Sequence, residues 1–150
     1  MHKQHHATLA LAAALTIPTL ILQGCSGISH TNTAPTPPVE RNLDQTRVLD
    51  IQVARRNTRI SMTNTTANDL GPGTLWVNQR FARDIEGLAV GQTIDLSLKE
   101  FYNEEGEPFR AGGFFAIEDP VNVVLVQYAT EDDTGNEQLL GFIVVENTLE

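Results

Sequence analysis

Apolar side chains recur at every second residue through much of this chain, and no ten-residue stretch keeps a 3.6-residue period. That pattern confines the fold to β-structure, because a period of two puts one face of a strand in a core and the other toward solvent. The clearest case is 92–101, where Ile94, Leu96 and Leu98 face one way and Thr93, Asp95, Ser97 and Lys99 the other. In 47–55, Leu49, Ile51 and Val53 alternate with Asp50 and Gln52, and in 58–65 Ile60 and Met62 continue the phase. Residues 64–73 (NTTANDLGPG) are a dense turn signal. In 74–81, Leu75, Val77 and Phe81 alternate with Trp76, Asn78 and Arg80. A corner at 87–91, a turn at 103–106, a short strand at 111–117 and two strands at 121–129 and 138–146 follow. The acidic loop 131–137 joins the last two as a hairpin, with Gly135 at positive φ. Six or seven short strands with turns every 8–12 residues predict one all-β domain, an antiparallel β-sandwich, at 41–150. A chain of 150 residues with 41% hydrophobic content has room for one such core.

The N-terminus carries a different pattern. After MHKQHH, residues 7–22 form an uncharged, mostly apolar run, followed by Leu22-Gln23-Gly24-Cys25. The Leu-x-Gly-Cys ending resembles the lipobox of bacterial lipoproteins. The resemblance implies a signal peptide at 1–24, cleavage before Cys25, and a diacylglycerol thioether with N-acylation, commonly palmitate, on Cys25. The alternatives are a plain secretory signal and an uncleaved membrane helix. Two or three acyl chains suffice for stable anchoring, whereas one binds only marginally. Ser26 stands where an Asp favours inner-membrane retention in enterobacteria, which points to the outer membrane. Residues 25–40, with three Pro in SGISHTNTAPTPPVE, read as a lipidated Cys and a flexible to semi-extended tether.

Removal of 1–24 takes the formal net charge from −9 to −10. So acidic a chain repels phosphate, which argues against nucleic-acid binding. From 41 to 150 there is no His and no Cys. Ser–His–Asp and Cys–His schemes therefore lack their base, and zinc, copper and haem sites lack their usual ligands. No catalytic residue, cofactor or metal is expected. Residues 41–110 hold 9 basic against 10 acidic residues, and 111–150 hold 8 acids and no base. Such a run is either a solvated acidic face or a site for cations or a basic partner.

Ser61-x-Thr63-Asn64-Thr65 and Leu88-x-x-Gly91-Gln92-Thr93 resemble bacterial immunoglobulin-like adhesion or accessory domains, over about a third of the chain. The resemblance implies an immunoglobulin-like sandwich; the C-terminal pair of strands departs from those families, which close on one simple strand. That pair is apolar on both faces. It is either central, with its outer face covered by a loop such as 109–117, or it meets a partner or a second copy, with Phe142 and Val144 in the contact. The second candidate set is Trp76 with Arg80, Phe114 and Phe115, aromatics off the alternating phase and beside Gly112-Gly113. They either stack on a sugar or anchor a protein, or pack under a loop and close one end of the sandwich. Asp133-Thr134-Gly135 matches an aspartic-protease triplet, but a hairpin turn explains it better. The oxygens of Asp132, Asp133, Asn136 and Glu137 lack EF-hand spacing. Glu104, Glu105 and Glu107 lack the deep cleft that a glycosidase pair needs. The expectation is a lipid-anchored envelope protein working as a non-enzymatic interaction module. Its partners are the membrane and an envelope protein or a second copy. A carbohydrate- or peptidoglycan-binding module is the alternative.

Overall fold

A computed structural model describes residues 33–145. It is all-β, a curled sheet of seven strands in the order β4-β3-β6-β7-β1-β2-β5. The strands are β1 Gln45–Arg56, β2 Arg59–Thr63, β3 Gly73–Val77, β4 Phe81–Ile85, β5 Thr93–Ser97, β6 Val126–Glu131 and β7 Glu137–Val145. A single 3-10 turn, Leu98–Glu100, follows β5. No helix among the described residues is long and apolar enough to cross a membrane.

The sheet is mixed, not purely antiparallel as expected. β1 and β7 pair in parallel at its centre, Val53 opposite Val144, with register shifts along β1. The other five pairings are antiparallel, three of them hairpins. Alternation fills the inside of the curl. Ile51 and Val53 of β1, Ile60 and Met62 of β2, Leu75 and Val77 of β3, and Val126, Tyr128, Leu140 and Phe142 of β6 and β7 form one core. Residues a strand apart share that face, as Met62 opposite Ile94 and Ile60 opposite Leu96 show.

Three departures from the sequence reading have local causes. The expected strand 74–81 is a hairpin, with Asn78 (φ 54°) and Gln79 (φ 57°) as its turn. Two consecutive left-handed residues make the tight turn that matches strand twist. Asn78 is then fully used: Nδ2 donates to Asn122 O at 2.7 Å, and Oδ1 accepts from Val124 N at 3.0 Å. Those bonds hold 122–125 as irregular chain, so β6 starts at Val126 and not at 121. The expected strand 111–117 is a loop, entered through Gly112 (φ 81°) and Gly113 (φ 123°).

The third departure lies before β1. The segment from Ala34 to Leu43 was expected to be tether as far as residue 40, but it straps across the outer face of the sheet. Pro37 and Pro38 are buried, and Ala34 and Leu43 pack on Trp76, Ala82, Ala129 and Leu139. Ala34 N donates to Asn103 O at 2.9 Å at one end, and Arg41 binds Glu137 at 2.7 Å near the other. The folded unit thus begins before residue 41. The strap, not 109–117, is what covers the outer face of β6 and β7.

Candidate functional site

The residues singled out in the sequence do not form one site. Trp76 is 0% exposed, on the outer face beneath the strap, so it offers no platform for a sugar or a partner. Phe142 lies in the inner core, 6.1 Å from the Tyr128 ring, and Val144 is half-buried against the same core. Neither therefore presents an interface; the two-faced apolar pattern belongs to central strands. Arg80 is exposed, 5.4 Å above the Phe81 ring, with Glu107 at 3.6 Å. Phe114 and Phe115 stand exposed on the 111–121 loop, in edge-to-face contact with each other. Cys25 lies outside the described residues.

The acidic hairpin is self-contained. Asp132 accepts hydrogen bonds from Thr134 N at 2.8 Å, Thr134 Oγ1 at 2.6 Å and Asn136 N at 2.9 Å. Those donors hold its carboxyl below the usual range, the Thr134 hydroxyl contributing most. Gly135 takes φ 82°, as the hairpin reading requires. The carboxylate is thereby committed to the turn, and no group of three ligating residues forms among the described residues. Tyr128 is pushed up to about 12, first by burial; its hydroxyl donates to Gly71 O. It is a structural phenol tying β6 to the turn before β3.

The feature that sequence reading missed is the place where the curl stops short of closing. β4 and β5 end the sheet, and neither has a strand partner on its outer edge among the described residues. They face each other across an open cleft of about 710 Å³. β4 contributes Arg83, Asp84 and Ile85, and β5 contributes Ile94 and Leu96, with Thr74 and Gln92 at the sides. Ile85, Ile94 and Leu96 are only half-buried, with one side on the core and the other toward the gap.

Both ends of the cleft are pinned. At one end Ala82 and Tyr102 exchange backbone bonds of 2.8 and 3.1 Å, and Arg83 pairs with Glu100. At the other, Leu70 and Leu88 exchange bonds of 3.0 and 2.8 Å. Asn64 secures that end: it is buried, donates Nδ2 to Leu88 O at 2.8 Å and Asn68 O at 2.9 Å, and accepts from Thr66 N at 3.0 Å. Because Ala82 points its N–H outward to Tyr102, the period of two points that of Asp84 outward as well. Asp84 also accepts from Thr74 Oγ1 at 2.7 Å through its side chain, which leaves its backbone free to pair. Five residues of strand span roughly 17 Å, so the gap is the length of a short extended peptide. The signal available in the sequence was slight, since Ile94 and Leu96 read as ordinary core positions.

Comparison of this chain with protein-family models, with curated proteins and with solved structures finds no match.

Proposed function

We propose that this is a lipid-anchored cell-envelope protein whose β-domain holds an extended segment of a partner protein between β4 and β5. One observation carries the reading: among the described residues, β4 beyond Ala82 and β5 have no strand partner on their outer edges, although Arg59 Nη2 donates to Asp95 O at 2.9 Å, and the two bracket a cleft with an apolar floor. Strand addition draws its affinity from main-chain hydrogen bonds and its specificity from pockets for alternate side chains. Ile85, Ile94 and Leu96 offer such a floor, so the partner segment carries apolar residues at every second position. The role is non-enzymatic. The lipobox-like Leu22-Gln23-Gly24-Cys25 supports anchoring through Cys25, and Ser26 supports the outer membrane.

The cleft is tested by selecting random peptides on the full chain and comparing their affinity for Asp84→Pro. Proline removes the outward N–H on an edge where it is otherwise tolerated. Loss of one edge bond plus the clash of the ring weakens selected peptides at least about tenfold, or roughly 1.4 kcal/mol. A thermal melt of the variant verifies that it is folded. Peptides that bind Asp84→Pro and the parent equally would refute the cleft as their site. Anchoring is tested separately with Cys25→Ser. This variant is expected to lose palmitate labelling; labelling that persists in it contradicts the lipobox reading.

A further inference from the structure

The loop between Arg110 and Val121 is closed at its base and apolar at its tip. Val121 N donates to Arg110 O at 2.9 Å. The Arg55 guanidinium donates to Val121 O at 2.6 Å and to Ala111 O at 2.8 Å, tying both roots to β1. Arg110 and Glu118 pair at 2.7 Å, and exposed Asp119 leaves the base with one net negative charge. Ala116 N donates to Gly113 O at 3.0 Å, which makes a tight turn at the tip. The seven residues 111–117 carry no charge. On this stapled loop Phe114 is 96% exposed, Phe115 91% and Ile117 101%, with the two rings edge to face at 4.9 Å. Large apolar side chains held out together mark an interaction surface, because isolated exposure leaves each one free to fold back. An open hollow of about 560 Å³ lies beside them, lined by Tyr102, Pro108 and Phe109 as well as Phe115 and Ile117.

The start of the described chain indicates what covers this tip. Ala34 is bonded to Asn103, the neighbour of Tyr102, so the chain enters the fold at the same end of the molecule as the loop. Seven residues separate Cys25 from Thr33, eight residue steps with a reach of at most about 29 Å. A lipidated Cys25 therefore keeps this end close to the bilayer surface. Lys99 flanks the loop, its Nζ 3.9 Å from where a Cβ on Gly113 would stand, and suits the headgroup layer.

We propose that Phe114, Phe115 and Ile117 insert into the interfacial layer of a lipid bilayer and give the domain a second membrane contact beside its N-terminal anchor. The inference rests on the anchored reading of Cys25 and is independent of the cleft. The tip is convex, uncharged and rooted by hydrogen bonds, which suits penetration of a soft surface and needs no matching groove. Phenyl rings sit well at that depth.

The test uses the full chain carrying Phe115→Trp, held on phosphatidylethanolamine–phosphatidylglycerol vesicles by an N-terminal hexahistidine on nickel-chelating lipid. Presentation of the loop is then independent of lipidation. Brominated acyl chains are expected to cut the emission of the introduced indole more than about twofold, while buried Trp76 in the parent chain is unaffected. If acrylamide in the water quenches that indole and bromine does not, the loop stays out of the bilayer and the inference fails. Protection from both quenchers only on adding an envelope-protein extract assigns the loop to a protein partner and equally overturns it. Palmitate labelling of the untagged chain against Cys25→Ser reports on the anchor alone, so failure of the loop and failure of the anchor are read separately.

Discussion

Trp76→Ala is expected to cost about 3–5 kcal/mol of stability, a large share of the roughly 5–15 kcal/mol a domain of this size commonly has. The indole is wholly buried between β3 and the strap, against Ala82, Ala129, Leu139 and Leu43. Its loss leaves a cavity that the strap, closed by Arg41–Glu137 and Ala34–Asn103, is not free to fill. With a urea slope near 1.5 kcal/mol/M, the denaturation midpoint falls by roughly 2 M or more. Trp76→Phe should be far milder. Trp76 Nε1 and Gln127 Oε1 have no hydrogen-bond partner among the described residues, although the two residues face each other across β3 and β6. Phenylalanine removes the unpaired donor and keeps most of the ring, so a cost under about 1.5 kcal/mol is expected. In the parent, Trp76 emission should be blue-shifted and shielded from acrylamide. A quenchable indole, or an alanine variant within about 1 kcal/mol of the parent, contradicts the covered outer face.

Asn64→Ala is expected to cost about 2–4 kcal/mol, measured by the same urea titration. The side chain is buried at the turn that closes one end of the cleft. It ties Leu88 O, Asn68 O and Thr66 N in one network, while its backbone bonds Gln92 and Gly91. Asn68 is exposed and recovers a bond from water, which keeps the cost below the sum of three buried bonds. The substitution also loosens the Leu70–Leu88 exchange, so peptide affinity at the cleft should fall together with stability. Loss of stability with unchanged peptide affinity would separate this turn from the cleft.

Much of the strand pattern was legible because alternation is local. Ile94 and Leu96, Ile60 and Met62, and Ile51 and Val53 point into the core as their spacing requires. Gly135 marked its hairpin for the same local reason, the ease with which glycine takes positive φ. The Asn78–Gln79 hairpin was hidden because its turn has no glycine, and Phe81 continued the phase of Leu75 and Val77 across it. Trp76 occupies the outward phase of β3, which reads as exposed unless something covers it. The cover is a Pro-rich segment with no period of its own, buried only because the sheet's outer face is apolar at Ala82, Ala129 and Leu139. The parallel pairing of β1 with β7 joins residues about ninety positions apart and leaves no mark on either strand. The cleft is further still from the sequence. Its existence depends on how far seven strands curl, and Ile85 and Leu96 look the same in a sheet that closes.

The most direct measurement of the central claim is backbone amide exchange on the ¹⁵N-labelled chain, free and with a selected peptide bound. The outward amide of Asp84 and the outer-edge amides of β5 are expected to exchange readily in the free chain and to become protected in the complex. Protection that leaves β4 and β5 unchanged and appears elsewhere, on 114–117 for example, would contradict strand addition at the cleft.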